Sequence, residues 1–158
     1  MSPRVARFLL IAALMAPASA GAQSAGVAAI PLRGLEFGKL APGQTAVISP
    51  VDVARSATVA LVGGGRVTLT VELPPGLTTG GDAALPLRFG PEDGRVVFAR
   101  SGHVLTFDPS RPFSFQLPPG LLGATVYLGA TATPDPRQPP GSYDAEITIR
   151  VDVIESST

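Results

Sequence analysis

Apolar and polar residues alternate with a period of two along most of the chain after residue 22. The segments 66–73 (RVTLTVEL), 113–117 (FSFQL) and 125–133 (TVYLGATAT) place an apolar residue at every second position. The longest alternating run, residues 143–153 (YDAEITIRVDV), stands close to the end of the chain. Successive side chains of a β-strand point to opposite faces, so this period predicts strands with one face on a core and the other in water.

Proline and glycine mark the ends of these segments. Pro-Pro-Gly occurs three times, at 74–76, 118–120 and 139–141, and each copy adjoins an alternating segment. Proline removes a backbone donor and glycine permits a reversal of the chain, so each triplet predicts an end of strand pairing.

Two hairpins are predicted as well. Residues 96–99 (VVFA) are continuously apolar, which is typical of a strand buried on both faces, and the turn that follows them contains Gly102. The three glycines 63–65 predict a tight hairpin between residues 59–62 and 67–73. No segment after residue 22 has a helical period. About seven or eight short strands predict an all-β fold, an antiparallel β-sandwich with immunoglobulin-like connectivity.

The first 22 residues have the layout of a secretory signal peptide. Arg4 and Arg7 precede a nine-residue apolar run, residues 8–16, and small residues follow it. Cleavage after Ala20 or after Ala22 satisfies the small-x-small rule, and we favour Ala22. Nine apolar residues are about half of what a bilayer-spanning helix needs. We therefore expect export to the periplasm, the cell surface or the medium, with no membrane span after signal cleavage.

Composition then bounds the mature chain, residues 23–158. Its 136 residues suffice for one β-sandwich domain with a core of its own. Ten basic and twelve acidic residues are scattered along it, so no nucleic-acid partner is expected. The sequence has no cysteine, so burial and strand pairing must hold the exported domain together without disulfides.

Residues suited to catalysis or metal binding are sparse. The single histidine, His103, is expected to be exposed at a hairpin tip rather than part of a catalytic triad. Glu92 and Asp93 lie in GPEDG, which predicts a turn with solvated carboxylates. Asp135 and Glu146 have the spacing of a calcium loop, but arginine and proline occupy required positions between them. We therefore predict a protein that is not an enzyme, with no catalytic residues, no cofactor and no metal site.

The two ends of the mature chain resemble a known family. Residues 35–38 (LEFG) are followed by Pro-Gly at 42–43, and residues 126–129 (VYLG) precede PGSY at 140–143 and the alternating terminal segment. This order is similar to that of the bacterial secreted family catalogued as domain of unknown function 4402. It resembles, more loosely, spore coat protein U domains and chaperone–usher pilins. The likeness covers nearly the whole mature chain, and residues 80–112 match little.

The resemblance implies a pilin-like sandwich that lacks its last strand. In pilins a groove beside the final strand is filled by a periplasmic chaperone and then by the N-terminal extension of a neighbouring subunit, through β-strand addition. The chain would then be a structural or adhesive subunit of a cell-surface assembly, with other pilin-like subunits or a periplasmic chaperone as partners. The implied groove residues are Tyr143, Ala145, Ile147, Ile149, Val151 and Val153. The implied donor residues are Val27, Ile30 and Leu32.

An alternative stays open. If residues 27–32 form the domain's own first strand, no spare extension remains, and the chain is a terminal subunit or a monomeric binding module. Such a periplasmic or cell-surface module would have a complete immunoglobulin-like fold and would contact a ligand through loops such as 78–84 or 134–142. Two tyrosines and no tryptophan are a poor set of side chains for such contacts.

Overall fold

The structure is a computed structural model that describes residues 4–15, 27–78, 84–120, 123–139 and 142–154. Within these ranges the backbone forms strands and turns but no helix. The two candidate cleavage sites and most of the loop 78–84 lie outside the described residues. In chain order the strands are β1 (Arg4–Met15), β2 (Ala28–Arg33), β3 (Glu36–Leu40), β4 (Ala46–Ile48), β5 (Ala57–Val62), β6 (Gly65–Glu72), β7 (Gly76–Thr78), β8 (Ala84–Arg88), β9 (Gly94–Phe98), β10 (Val104–Phe107), β11 (Phe113–Leu117), β12 (Ala124–Leu128), β13 (Ala130–Ala132) and β14 (Ser142–Val153).

These strands form two sheets. The large sheet has nine strands in the order β11-β6-β14-β7-β8-β13-β4, and β1 and β3 join it beside β14. The small sheet has five strands in the order β10-β9-β12-β5-β2. Neighbours are antiparallel except for β1 and β14, which run parallel. The fourteen described strands exceed the predicted seven or eight, partly because the three-residue strands β4 and β7 are too short to leave an alternating pattern. In addition, the single alternating segment 125–133 contains both β12 and β13, and β1 comes from the predicted leader.

The apolar faces of the two sheets meet in one core. On β6 of the large sheet Val67 and Leu69 are buried, as their spacing predicts. Aromatic rings join the two layers: Phe98 of β9 meets Phe115 of β11 edge-on, with ring centroids 5.9 Å apart. The ring of Phe107 on β10 likewise stacks on a phenylalanine of β11, with centroids 4.9 Å apart. The predicted all-β, sandwich-like fold is confirmed.

The predicted hairpin between residues 59–62 and 67–73 is wrong. β5 pairs with β12 and β2, whereas β6 pairs with β11 and β14, so the chain passes from the small sheet to the large sheet at this point. Gly63 and Gly65 have φ angles of 128° and 120°, a region that L side chains rarely adopt. The glycines therefore permit a sharp connection between layers, where the sequence pattern alone fits a hairpin equally well.

The interpretation of residues 96–99 as buried on both faces is also wrong. Val96 and Phe98 are buried but Val97 is only half-buried, so β9 has one face on the core. The hairpin that follows is confirmed, because β9 and β10 pair antiparallel. Gly102 has a φ of 68°, and its N–H donates to the carbonyl of Phe98 at 2.9 Å.

The alternating segment 125–133 forms two strands in different sheets. β12 belongs to the small sheet and β13 to the large sheet, and Gly129 lies between them. A Cβ atom on Gly129 would stand 2.8 Å from Cδ of Pro50 and closer still to the carbonyl oxygen of Ile48. A side chain at this position would therefore collide with backbone, and glycine allows the chain to change sheets.

Candidate strand-complementation groove

β14 is confirmed as a strand, and its alternation separates core from surface. Glu146 is exposed and Thr148 and Arg150 are half-buried on the outer face. The structure places all six predicted groove residues on the core face of this one strand. Four of them are no more than 1% exposed, and the other two are partly buried against the core: Tyr143, Ile147, Ile149 and Val151, then Ala145 and Val153.

The two edges of β14 have different neighbours. On one edge residues 148–153 pair with β6, and Asp144 pairs with Thr78 of β7. Residues 142–152 also pair with β1, in parallel. Because residues 148–152 pair with β6 and β1 at the same time, these two strands lie on opposite edges of β14. One whole edge of β14 is therefore covered by β1.

β1 occupies the space between β14 and β3. Its second edge pairs antiparallel with β3, from Arg4 opposite Leu40 to Arg7 opposite Glu36. In the part of the chain that is described, β3 pairs with no other strand. We call the space bounded by β14 and β3 the acceptor slot. Without β1, both strands would present an unpaired edge beside the buried residues that they contribute to the core.

A buried hydrogen-bond network fixes the start of β14. The Tyr143 hydroxyl donates to the carbonyl of Pro139 at 2.7 Å and accepts from Nε2 of Gln138 at 2.9 Å. The same Gln138 amide donates to the carbonyl of Ala84 at 3.1 Å and accepts from the N–H of Asp135 at 3.2 Å. In β-sandwiches of the immunoglobulin type, a tyrosine hydroxyl bonded to backbone a few residues upstream is called a tyrosine corner. Nothing in the sequence pattern singles out Gln138, and the signal that points to this network is Tyr143, which follows Pro140 and Gly141 with one residue between.

The predicted donor segment lies within the chain's own fold. Val27 is buried in the core, and β2 pairs with β5 at the edge of the small sheet. Ile30 and Leu32 face away from the core, with 45% and 62% of their surface exposed. The structure therefore divides the three predicted donor residues between core and surface. A donor role would require β2 to leave β5.

The residues considered for chemistry lie elsewhere. His103 is exposed, with its ring 6.1 Å from that of Phe98, and the Ser101 hydroxyl accepts from the backbone N–H of His103 at 3.2 Å. Burial raises the pKa of Asp93, and the N–H of Gly90, 2.6 Å from its carboxylate, partly offsets this rise. The described residues hold no cluster of three or more His, Cys, Asp or Glu side chains that could bind a metal ion.

Across the described ranges, no helix has the length and apolarity needed to cross a membrane. No protein-family model matches the chain, and no curated protein matches it.

Proposed function

We propose that the chain is a non-catalytic, exported structural or adhesive subunit that accepts a β-strand from another polypeptide. The observation that carries this proposal is the edge of β14 that only β1 covers. β1 consists of residues that the sequence predicts to be removed on export. Removal of residues 1–22 would leave the backbone of residues 142–152 unpaired on that edge, beside core side chains.

An uncovered edge of this kind favours strand addition. Main-chain hydrogen bonds from an added strand satisfy the free edge, and its alternate side chains fill the gap next to the core. The slot accommodates a strand of eleven paired residues. Its apolar positions would stand beside Ala145, Ile147, Ile149 and Val151. The partners that fit this chemistry are other pilin-like subunits or a periplasmic chaperone.

Two further features support an immunoglobulin-like, pilin-like version of the sandwich. The tyrosine corner at Tyr143 is a device of Greek-key sandwiches. The resemblance to the family of domain of unknown function 4402 and to pilins implies the same missing final strand. Under this proposal β14 is the last strand of the chain's own sandwich, and the partner supplies the strand between β14 and β3.

The acceptor role is tested with the exported chain after signal cleavage. We expect it to be recovered in complex with a strand donor or as heat-dissociable oligomers, and to aggregate when it is produced without a partner. The size distribution on unheated gels and by gel filtration reports this directly. A strictly monomeric chain that folds without any partner would rule the proposal out.

The donor role of β2 is tested separately. Because Ile30 and Leu32 are exposed in their own domain, Ile30→Glu and Leu32→Glu should leave folding unchanged. If β2 is passed to a neighbour, the same substitutions should abolish the oligomer ladder, since a charge would enter the neighbour's groove. Val47→Glu, at a valine as exposed as Leu32, is the matched control. Ladders that persist in all three variants would assign the donor strand to a different protein.

A second function, that of a monomeric binding module, is favoured by a different observation. A surface depression of about 440 Å³ is lined by Val47, Val51, Asp93 and Arg95, together with four further residues. Concave sites with an apolar lining and a few polar groups suit small ligands. This function predicts that deletion of residues 23–32 unfolds the protein, because Val27 belongs to the core. A subunit that exchanges this segment would instead keep its fold and lose its ability to polymerise.

A further inference from the structure

Residues 4–15 hold the basic stretch and most of the apolar run of the predicted leader, and they occupy the acceptor slot. They pair with β14 in parallel over eleven consecutive positions, from Val5 beside Ser142 to Met15 beside Asp152. At the other edge the first four of them pair with β3. The leader segment therefore takes the position that the proposed function assigns to a partner strand.

The register places one basic residue of the leader between two acidic positions. The register sets Arg7 beside Asp144 on β14 and beside Glu36 on β3. Opposite charges on neighbouring strands stabilise their pairing. The basic stretch that begins a signal peptide thus meets two acidic positions, one on each side of the slot. A strand with a basic residue just before its apolar run fits this entrance.

The register sets the apolar positions of the leader beside two different rows of β14, one polar and one apolar. Leu9 and Ile11 stand beside the polar Glu146 and Thr148 on the outer row. A strand with one face in water is normally polar on that face, so this half of the leader is mismatched. On the core row every second leader residue stands beside an apolar groove residue: Phe8 beside Ala145, Leu10 beside Ile147, Ala12 beside Ile149 and Leu14 beside Val151.

We infer that the leader is the first occupant of the acceptor slot, so that the uncleaved chain caps its own edge. Cleavage then converts a self-complemented chain into an acceptor. The apolar neighbours on the core row of β14 explain why the leader can occupy the slot. The polar neighbours on the outer row explain why a partner strand that alternates apolar and polar residues can replace the leader. This inference rests on the proposed function, since it requires a slot that another strand later fills.

The test uses the full chain of 158 residues, refolded where no signal peptidase acts, with a specific protease site inserted after Ala22. Hydrogen exchange is followed in β1 and in β14. We expect both strands to be protected. Leu10→Asp, on the core row, should speed exchange in β14 by about tenfold or more, since it opens the edge locally. Leu9→Asp, one residue away on the outer row, is the matched control and should leave β14 protected.

Cutting the folded chain after Ala22 provides the second measurement. The fragment 1–22 should stay bound without a covalent link, and an excess of a peptide that alternates apolar and polar residues should displace it. The inference is overturned if residues 4–15 exchange freely in the full chain, or if Leu9→Asp and Leu10→Asp behave alike. If one of these outcomes is found but the displacing peptide still protects β14 from exchange, the acceptor slot is supported and only the role of the leader is ruled out. If β14 stays protected after the fragment leaves and no peptide binds, the proposed function fails as well.

Discussion

Without β1, β2 and β14 would both lie at a sheet edge, but only β2 has the features that protect an edge strand from pairing with other chains. β2 has six residues and contains Pro31, and β10 at the other edge of the small sheet has four residues. β11, at an edge of the large sheet, is bounded by Pro112 and Pro118. Short strands and prolines keep an edge from pairing with other chains.

β14 has neither protection. It is twelve residues long, contains no proline and alternates regularly over its whole length. A long regular edge of this kind pairs readily with any strand that reaches it. The edges at β2, β10 and β11 thus carry features that discourage strand addition, whereas the β14 edge carries none of them.

The largest expected effect on stability comes from replacing an isoleucine in β14 and comparing it with the same replacement in β2. Ile149 of β14 is fully buried, whereas Ile30 of β2 is nearly half exposed. Ile149→Ala should lower the free energy of unfolding by about 2–5 kcal/mol, through lost burial and the cavity left behind. Ile30→Ala should cost less than about 1 kcal/mol. Urea unfolding of the full chain measures both, and equal losses would show that the β2 edge is buried too.

A smaller effect concerns the anchor at the start of β14. Tyr143→Phe removes the hydroxyl that joins Gln138 to the carbonyl of Pro139, so we expect a loss of about 1–3 kcal/mol from buried groups left unpaired. Tyr127→Phe, on the half-buried outer face of the small sheet, is the control and should change stability by less than about 0.5 kcal/mol. Indistinguishable losses in the two variants would remove the anchoring role of the network.

The smallest effects on stability lie in the turn before β9 and the turn after β10, and they have opposite signs. Burial raises the pKa of Asp93, so its ionised form is disfavoured in the folded state, and this penalty disappears as the pH falls toward the usual value of 3.8. Hydrogen bonds from Ser110 lower the pKa of Asp108, so its contribution is present above 3.8 and is lost as the pH falls through its folded value. Unfolding measured from pH 3 to pH 6 should therefore shift in opposite directions in Asp93→Asn and Asp108→Asn. Shifts of the same sign would contradict these assignments.

The faces of the strands could be predicted from the sequence. β6, β11 and β14 each keep one face on the core and one in water, and this burial enforces a period of two that the sequence displays. The same alternation over residues 143–153 predicts that the six groove residues share one face, whereas their role in a groove comes from the family resemblance. The backbone geometry of a strand turns successive side chains to opposite faces, so the alternation in the sequence predicts the face on which each side chain lies.

The arrangement of strands between sheets could not be predicted in this way. Period two is the same whether the next strand joins the same sheet or the opposite one, so the glycines at 63–65 fitted a hairpin although they connect two layers. β4 and β7 have three residues each, too few to show a period. The alternation over residues 125–133 continues from β12 into β13 although these strands belong to different sheets. The sequence does not predict β1 for a different reason. A continuous apolar run is typical of a leader, whereas a strand with one face in water alternates apolar and polar residues.

Hydrogen exchange along β14, in the chain that has lost residues 1–22, tests the central claim most directly. The account predicts rapid exchange for the amides of residues 142–152 that face the acceptor slot, while β12 in the middle of the small sheet stays protected. Addition of an alternating apolar strand should then slow these β14 amides to the rates seen in β12. Protection of β14 as strong as that of β12, before any strand is added, would contradict the account.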